Sequence, residues 1–322
     1  MSPAHELDLG PLTWVKGEID LALERAATAL AEAETASDRL GRIKFAQTHL
    51  HQAHGALSIV GLDGLTQFSD MLDRLFGELS SEQIAYTPAL GKLATRALAA
   101  IGNYLEELSR GQPDQSLRLF DLYSELAVAR KLEAPTPSEL FFPDLTLRPL
   151  FATQTDPSAD DPRALRALRG RFERGLLKWF RNASDAAGPI EMRDAVAGIE
   201  RTQALPASRA FWLAAAAFFD ALGQQSIPVD ASLKRLCGRI DAQMRRLMEG
   251  SSVVAERLMR DVLYQVAIAG NRSPAAETIR ETYQLGRLIP AAGSRINDTP
   301  LAPVLRALRD GYRLHRFDAR AG

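Results

Sequence analysis

The stretch IKFAQTHLHQAHGALSIVG, residues 43–61, carries the pattern of one amphipathic helix. Its apolar residues recur every three or four positions, the spacing of a single helix face. They are Ile43, Ala46, Leu50, Ala53, Leu57 and Val60. Ser37 or Asp38 can cap the start, and Gly61 can end the helix, because glycine accepts the left-handed conformation common at helix ends. The stretch therefore predicts a helix with one face packed against its neighbours.

Three similar stretches flank this one. The first opens after Gly10, the third carries its stripe from Leu65 and stops at Ser80, and the fourth starts at Pro88. Gly64 is expected in the short connection before the third. Four amphipathic helices with short connections are typical of an antiparallel bundle. With one further helix at 114–132, they predict a first domain over residues 10–132.

The rest of the chain divides into three predicted parts. Six prolines fall within residues 133–162, which predicts a linker, part of which we expect to pack on a bundle because it is rich in Leu and Phe. Residues 163–289 predict a second helical domain, and residues 290–322 a weakly ordered tail with one short helix near 301–308. Candidate helices in the second half are 161–184, 189–203, 206–223, 228–249, 253–270 and 274–286. The predicted fold is all-α, an N-terminal four-helix bundle followed by a second helical bundle.

Composition excludes several classes of function. The chain has 322 residues, with 39 Lys and Arg against 40 Asp and Glu, a balance that argues against binding to nucleic acid. Cys237 is the single cysteine, so neither an intramolecular disulfide nor a cysteine-based zinc site can form. The N-terminus lacks the pattern of a signal peptide, and the most apolar run, residues 210–222, is too short to cross a bilayer. We expect a cytoplasmic protein without membrane insertion.

The polar face of the 43–61 helix carries the one candidate chemical site. At about 100° per residue, His51 lies off the apolar stripe. It shares its face with Lys44, Gln47, His54, Gly55 and Ser58. An exposed imidazole with one unprotonated nitrogen can attack phosphorus, and a glycine one turn away lets a partner approach closely.

Plainer interpretations of these histidines stay open. His51 could be a solvated surface residue, and His54 could be a partly packed helix residue instead of a neighbour that steadies a phosphoryl group. A metal site is disfavoured, because only His51 and His54 have ligand spacing along a helix, whereas His49 is turned away from them. The sequence therefore predicts no metal.

The string His51-Gln52-Ala53-His54-Gly55-Ala56-Leu57 resembles the His-x-Leu-Lys-Gly-x-Ala motif of histidine phosphotransfer (Hpt) domains, with His54 in the place of the lysine. A wider resemblance covers most of residues 10–285. Its segments are LGPLTWVKGEIDLALERA (9–26), HLHQAHGALSIVGLDGLTQFSDMLDRL (49–75), RAFWLAAAAFFDAL (209–222) and VDASLKRLCGRIDAQMRRL (229–247). They are similar to the N-terminal region of CheA-type hybrid histidine kinases (PilL/ChpA) of type IV pilus chemosensory systems, and to FimL-like scaffold proteins.

The resemblance implies a role in a two-component phosphorelay for chemotaxis by twitching motility. His51 would be the phosphoacceptor and would relay a phosphoryl group between a CheA-type kinase domain and the aspartate of a response-regulator receiver domain. The residues sharing its face would neighbour the phosphate or the docked partner. No cofactor of its own is implied, since the partner supplies Mg²⁺, and the chain shows no glycine-rich nucleotide loop. The alternative implication is a non-phosphorylated FimL-like scaffold that binds response regulators or other proteins of the pilus system, including polar scaffold proteins.

Overall fold

The computed structural model describes residues 9–151, 155 and 162–300. Over these residues the chain forms α-helices and short 3₁₀ turns and no β-strand, which confirms the predicted all-α fold. Two compact units share the chain. The second unit is Thr136–Ala291, and the first consists of the residues before and after it. The short helix expected near 301–308 lies outside the described residues.

The first unit is built on a four-helix bundle. Its helices are α1 (Leu9–Ala33), α2 (Arg39–Val60), α3 (Asp63–Ser80), α4 (Pro88–Ser109) and, after a 3₁₀ turn at Ser116–Leu119, α5 (Phe120–Ala129). Helix α1 packs on α2 and α4, α3 packs on α2 and α4, and α5 packs against α3 and α4. The apolar stripes of all four bundle helices face one core, where Leu50, Phe68 and Ile101 are fully buried.

Local chemistry fixes where α2 and its neighbours begin and end. The Asp38 carboxylate accepts a hydrogen bond from the Gly41 amide at 3.0 Å, so Asp38 is the cap of α2. Gly61 closes α2 at a φ of 78°, in the left-handed region. Thr87 caps α4, with Pro88 in its first turn. Gly64 differs from expectation, because α3 already begins at Asp63 and includes it.

The segment 114–132, expected to be one helix, is a 3₁₀ turn followed by α5. The Arg118 amide bonds back to the Gln115 carbonyl three residues earlier, which tightens the start of the segment. The Arg118 carbonyl accepts a hydrogen bond from the Ile296 amide, far along the chain. A contact between residues so far apart in the sequence cannot be predicted from the local spacing of apolar residues.

The second unit is organised around its most apolar helix. Its helices are α6 (Pro162–Arg181), α7 (Ala187–Thr202), α8 (Pro206–Gly223), α9 (Ala231–Met248), α10 (Glu256–Ile268), α11 (Pro274–Thr282) and α12 (Leu285–Leu288). Helix α8 packs on α7, α10 and α11, while α6 packs on α7 and α9. Trp212, Phe218 and Phe219 of α8 are fully buried. Phe180 of α6 is about half exposed, at 47%.

Residues 136–151 of the predicted linker belong to the second unit. A 3₁₀ turn spans Pro137–Leu140, and the Ser138 hydroxyl donates to the Asp261 carboxylate at 2.6 Å. Phe141 meets Tyr264 edge-to-face at 5.5 Å between ring centroids. Among the described helices, none combines the length and apolar character needed to cross a membrane.

Candidate functional site

The residues singled out in the sequence lie on the outer side of α2, along its border with α3. His51 is 74% exposed, while Leu50 and Ala53 on the opposite side of α2 are buried. Gly55 is exposed one turn after His51, and a methyl group placed on its Cα would meet no atom within 4 Å. We call His51, His54, Gly55 and Asp73, which lies on α3, the histidine surface. It is open enough for a partner to reach the imidazole of His51.

Asp73 is the site residue that the sequence analysis missed. Its carboxylate lies 3.8 Å from Nδ1 of His51, too long for a hydrogen bond but within reach of an ion pair when His51 is protonated. One carboxylate oxygen, Oδ1, is buried and has no hydrogen-bond partner in the described part of the chain. Burial raises the pKa of Asp73, and the nearby His51 and His54 act in the opposite direction. Asp73 therefore places a carboxylate beside the exposed His51 ring, as an ion-pair partner for the protonated imidazole.

The His54 side chain is held by a contact with α3. Its ring stacks beside that of His51, with 6.0 Å between centroids. Nδ1 of His54 is 2.9 Å from the Ser69 hydroxyl, which itself donates to the Thr66 carbonyl at 2.9 Å. Either Nδ1 of His54 or the Ser69 hydroxyl donates in this bond, according to the tautomer of the ring. The bond holds the His54 ring against α3.

The remaining polar residues predicted on the face of His51 are Gln47, Lys44 and Ser58. Gln47 donates to the Asp73 carbonyl at a long 3.4 Å and so braces α2 against α3. Lys44 and Ser58 are exposed on the same side of α2, each two turns, about 10 Å along the helix, from His51. His49 is turned into the bundle, where its ring meets Phe45 edge-on at 4.5 Å.

Two further observations describe the surroundings of the histidine surface. Within the described ranges, no three His, Cys, Asp or Glu side chains are placed to hold a metal ion. Ile59, one turn beyond Gly55, is 84% exposed and gives the surface an apolar edge. The exposed imidazole of His51, the bare backbone at Gly55 and the exposed Ile59 side chain therefore follow one another along the outer side of α2.

Comparison with known proteins gives one family and one relative. Residues 157–296 match the family model described as the FimL scaffold protein second domain. The chain is 26% identical over 287 residues to Scaffold protein FimL of Pseudomonas aeruginosa, an alignment that covers 86% of this chain and 50% of that protein. The chain thus spans about half the length of that relative. No solved structure matches. The resemblance to a FimL-like scaffold protein is confirmed over most of the chain.

Proposed function

From this resemblance to FimL-like scaffold proteins, we propose that the chain is a scaffold of a type IV pilus chemosensory pathway, acting in the cytoplasm without enzymatic turnover of its own. The match of residues 157–296 to the scaffold second domain carries the proposal. The similarity favours this alternative over the phosphorelay role that His51 first suggested.

The histidine surface is the proposed docking area for a response-regulator receiver domain or a CheA-type kinase domain. Support comes from the exposure of His51, the bare backbone at Gly55 and the exposed Ile59. Together they place polar and apolar contacts around a point that a partner can approach closely. The second unit, with its large core around α8, would supply a further rigid helical surface for pilus-system proteins.

Replacing Gly55 with arginine should weaken partner binding at least about tenfold, since a long side chain would stand at the centre of the docking area. The fold should survive, because the position is open and arginine is a better helix former than glycine. Binding of the cognate receiver domain and of the kinase domain would be measured by calorimetry or biolayer interferometry.

Gly17→Arg is the matched control for this variant. Gly17 is also an exposed, interior helix glycine with open space around it, but it lies on α1. We expect Gly17→Arg to bind partners like the wild type. Equal binding by wild type, Gly17→Arg and Gly55→Arg would mean that partners dock elsewhere.

Phosphotransfer by His51 is the second candidate function, and the geometry of His51 and Asp73 favours it. In that reaction an imidazole nitrogen of His51 would attack phosphorus, the bond to the donor oxygen would break, and the partner would provide Mg²⁺. Against it stands His54, which occupies the position of the motif lysine and whose Nδ1 is already engaged by Ser69.

If His51 takes part in phosphotransfer, the wild type should carry an acid-labile phosphoryl label after incubation with a CheA-type kinase domain, Mg²⁺ and labelled ATP. His51→Gln should then lose essentially all label, whereas His54→Gln should retain it. The scaffold proposal expects no label on any of the three. Label that requires His51 would overturn the purely structural role.

A further inference from the structure

The chain returns to the first unit after completing the second. Residues 292–300, which we call the return segment, run along α4 and the 3₁₀ turn before α5. The Ile296 amide donates to the Arg118 carbonyl at 3.2 Å. The Asn103 side chain donates to the Asn297 carbonyl at 2.6 Å. The first unit thus holds the backbone of the return segment at Ile296 and at Asn297.

Charges set the position of the segment. Asp298 lies 2.7 Å from the Arg96 guanidinium, which also pairs with Glu125 of α5 at 2.6 Å. At the other end, Arg295 pairs with Asp121 at 2.6 Å. A basic residue and an acidic residue three positions apart therefore meet complementary charges on the first unit. A slip by one residue would separate both pairs.

One side chain anchors the segment. Ile296 is 8% exposed, whereas its neighbours Arg295 and Asn297 are exposed. Backbone hydrogen bonds, one buried aliphatic side chain and flanking charges that fix the register are the elements by which proteins recognise extended peptides.

We infer that the face of the first unit formed by α4, the turn before α5 and α5 itself is a peptide-recognition groove, occupied in cis by this chain's own return segment. Its ligand is a peptide with the order Arg–aliphatic–x–Asp. The inference is independent of the histidine surface and of the proposed scaffold role.

Occupation in cis explains why the groove would be closed to free peptides. A tethered ligand acts at an effective concentration of about millimolar, so a peptide added at micromolar concentration cannot displace it. Weakening the tethered copy should open the groove while leaving its walls intact. Ile296→Ser removes the buried anchor, and Asp298→Lys reverses the charge facing Arg96, so the two variants release the segment by different routes.

The test uses the full chain and a fluorescent peptide, AGSRINDTP, copied from residues 292–300. Fluorescence anisotropy should show binding to Ile296→Ser and to Asp298→Lys at least about tenfold tighter than to the wild type. Adding Asn103→Ala to Ile296→Ser should weaken that binding about tenfold, through loss of hydrogen bonds to the peptide backbone. A peptide of scrambled sequence should not bind.

Circular dichroism would establish that each variant keeps the helical content of the wild type. Hydrogen exchange at the Ile296 amide would report release directly, with protection in the wild type and its loss in both released variants. Loss of protection without peptide binding in either variant would overturn the inference, as would peptide binding that is indifferent to Asn103→Ala. An unprotected Ile296 amide in the wild type would also contradict it.

Discussion

Replacing Gly188 with alanine should lower the free energy of unfolding of the second unit by about 3 kcal/mol, the upper part of the usual range for overpacking. At this point α7 crosses α6 backbone to backbone. An added Cβ would lie 2.7 Å from the Gly175 carbonyl oxygen and 2.8 Å from the Trp179 amide nitrogen. Neither atom belongs to a flexible side chain, so the helices themselves must separate. Urea or thermal denaturation followed by circular dichroism would measure the loss.

Gly238→Ala provides the matched control. Gly238 lies in the interior of α9, and nothing stands within 4 Å of its added methyl group. Alanine there should stabilise the unit by up to about 1 kcal/mol, through helix propensity alone. If Gly188→Ala behaved like Gly238→Ala, the close crossing of α6 and α7 would be wrong.

The second large effect is expected at a buried ion pair. Glu200 of α7 and Arg209 of α8 meet at 2.6 Å, with each side chain only 9% exposed, and the guanidinium also lies 4.2 Å from the centre of the Phe151 ring. Glu200→Ala would remove the carboxylate that meets this buried cation. Breaking such a pair from one side costs about 3–5 kcal/mol. The same denaturation experiment would show this loss of stability as a lower midpoint of unfolding.

An exposed pair in the same unit gives the comparison. Glu173 pairs with Arg169 at 2.6 Å, but its side chain is 45% exposed. Glu173→Ala should therefore change stability by less than about 1 kcal/mol. Similar losses in Glu200→Ala and Glu173→Ala would show that burial does not set the strength of the α7–α8 pair.

The sequence was most informative where local chemistry decides the structure. The spacing of apolar residues predicted α2, with Ser37 or Asp38 at its start and Gly61 at its end, because capping and left-handed glycine act within a few residues. The structure has Asp38 as the cap. The same spacing placed His51 and Gly55 on the outer side of α2, where the structure exposes them. These features follow from one helix alone.

The sequence did not predict the contacts between segments that are distant along the chain. Asp73 approaches His51 only through the way α3 packs against α2, which periodicity does not fix. The crossing of Gly175 with Gly188 likewise depends on how α6 and α7 meet. The predicted tail from residue 290 was expected to be weakly ordered, yet its described part is anchored by Ile296 and Asp298 to residues of the first unit. Such contacts require the three-dimensional arrangement.

The insertion of the second unit between α5 and the return segment sets an order of events on the ribosome. Synthesis proceeds at about 5–20 residues per second, so the whole of Thr136–Ala291 takes roughly ten seconds or more to emerge. During that interval the nascent first bundle has all of its helices but not residues 292–300. Its α4 face is therefore vacant early in the life of each molecule, and it is filled only after the second unit has been made.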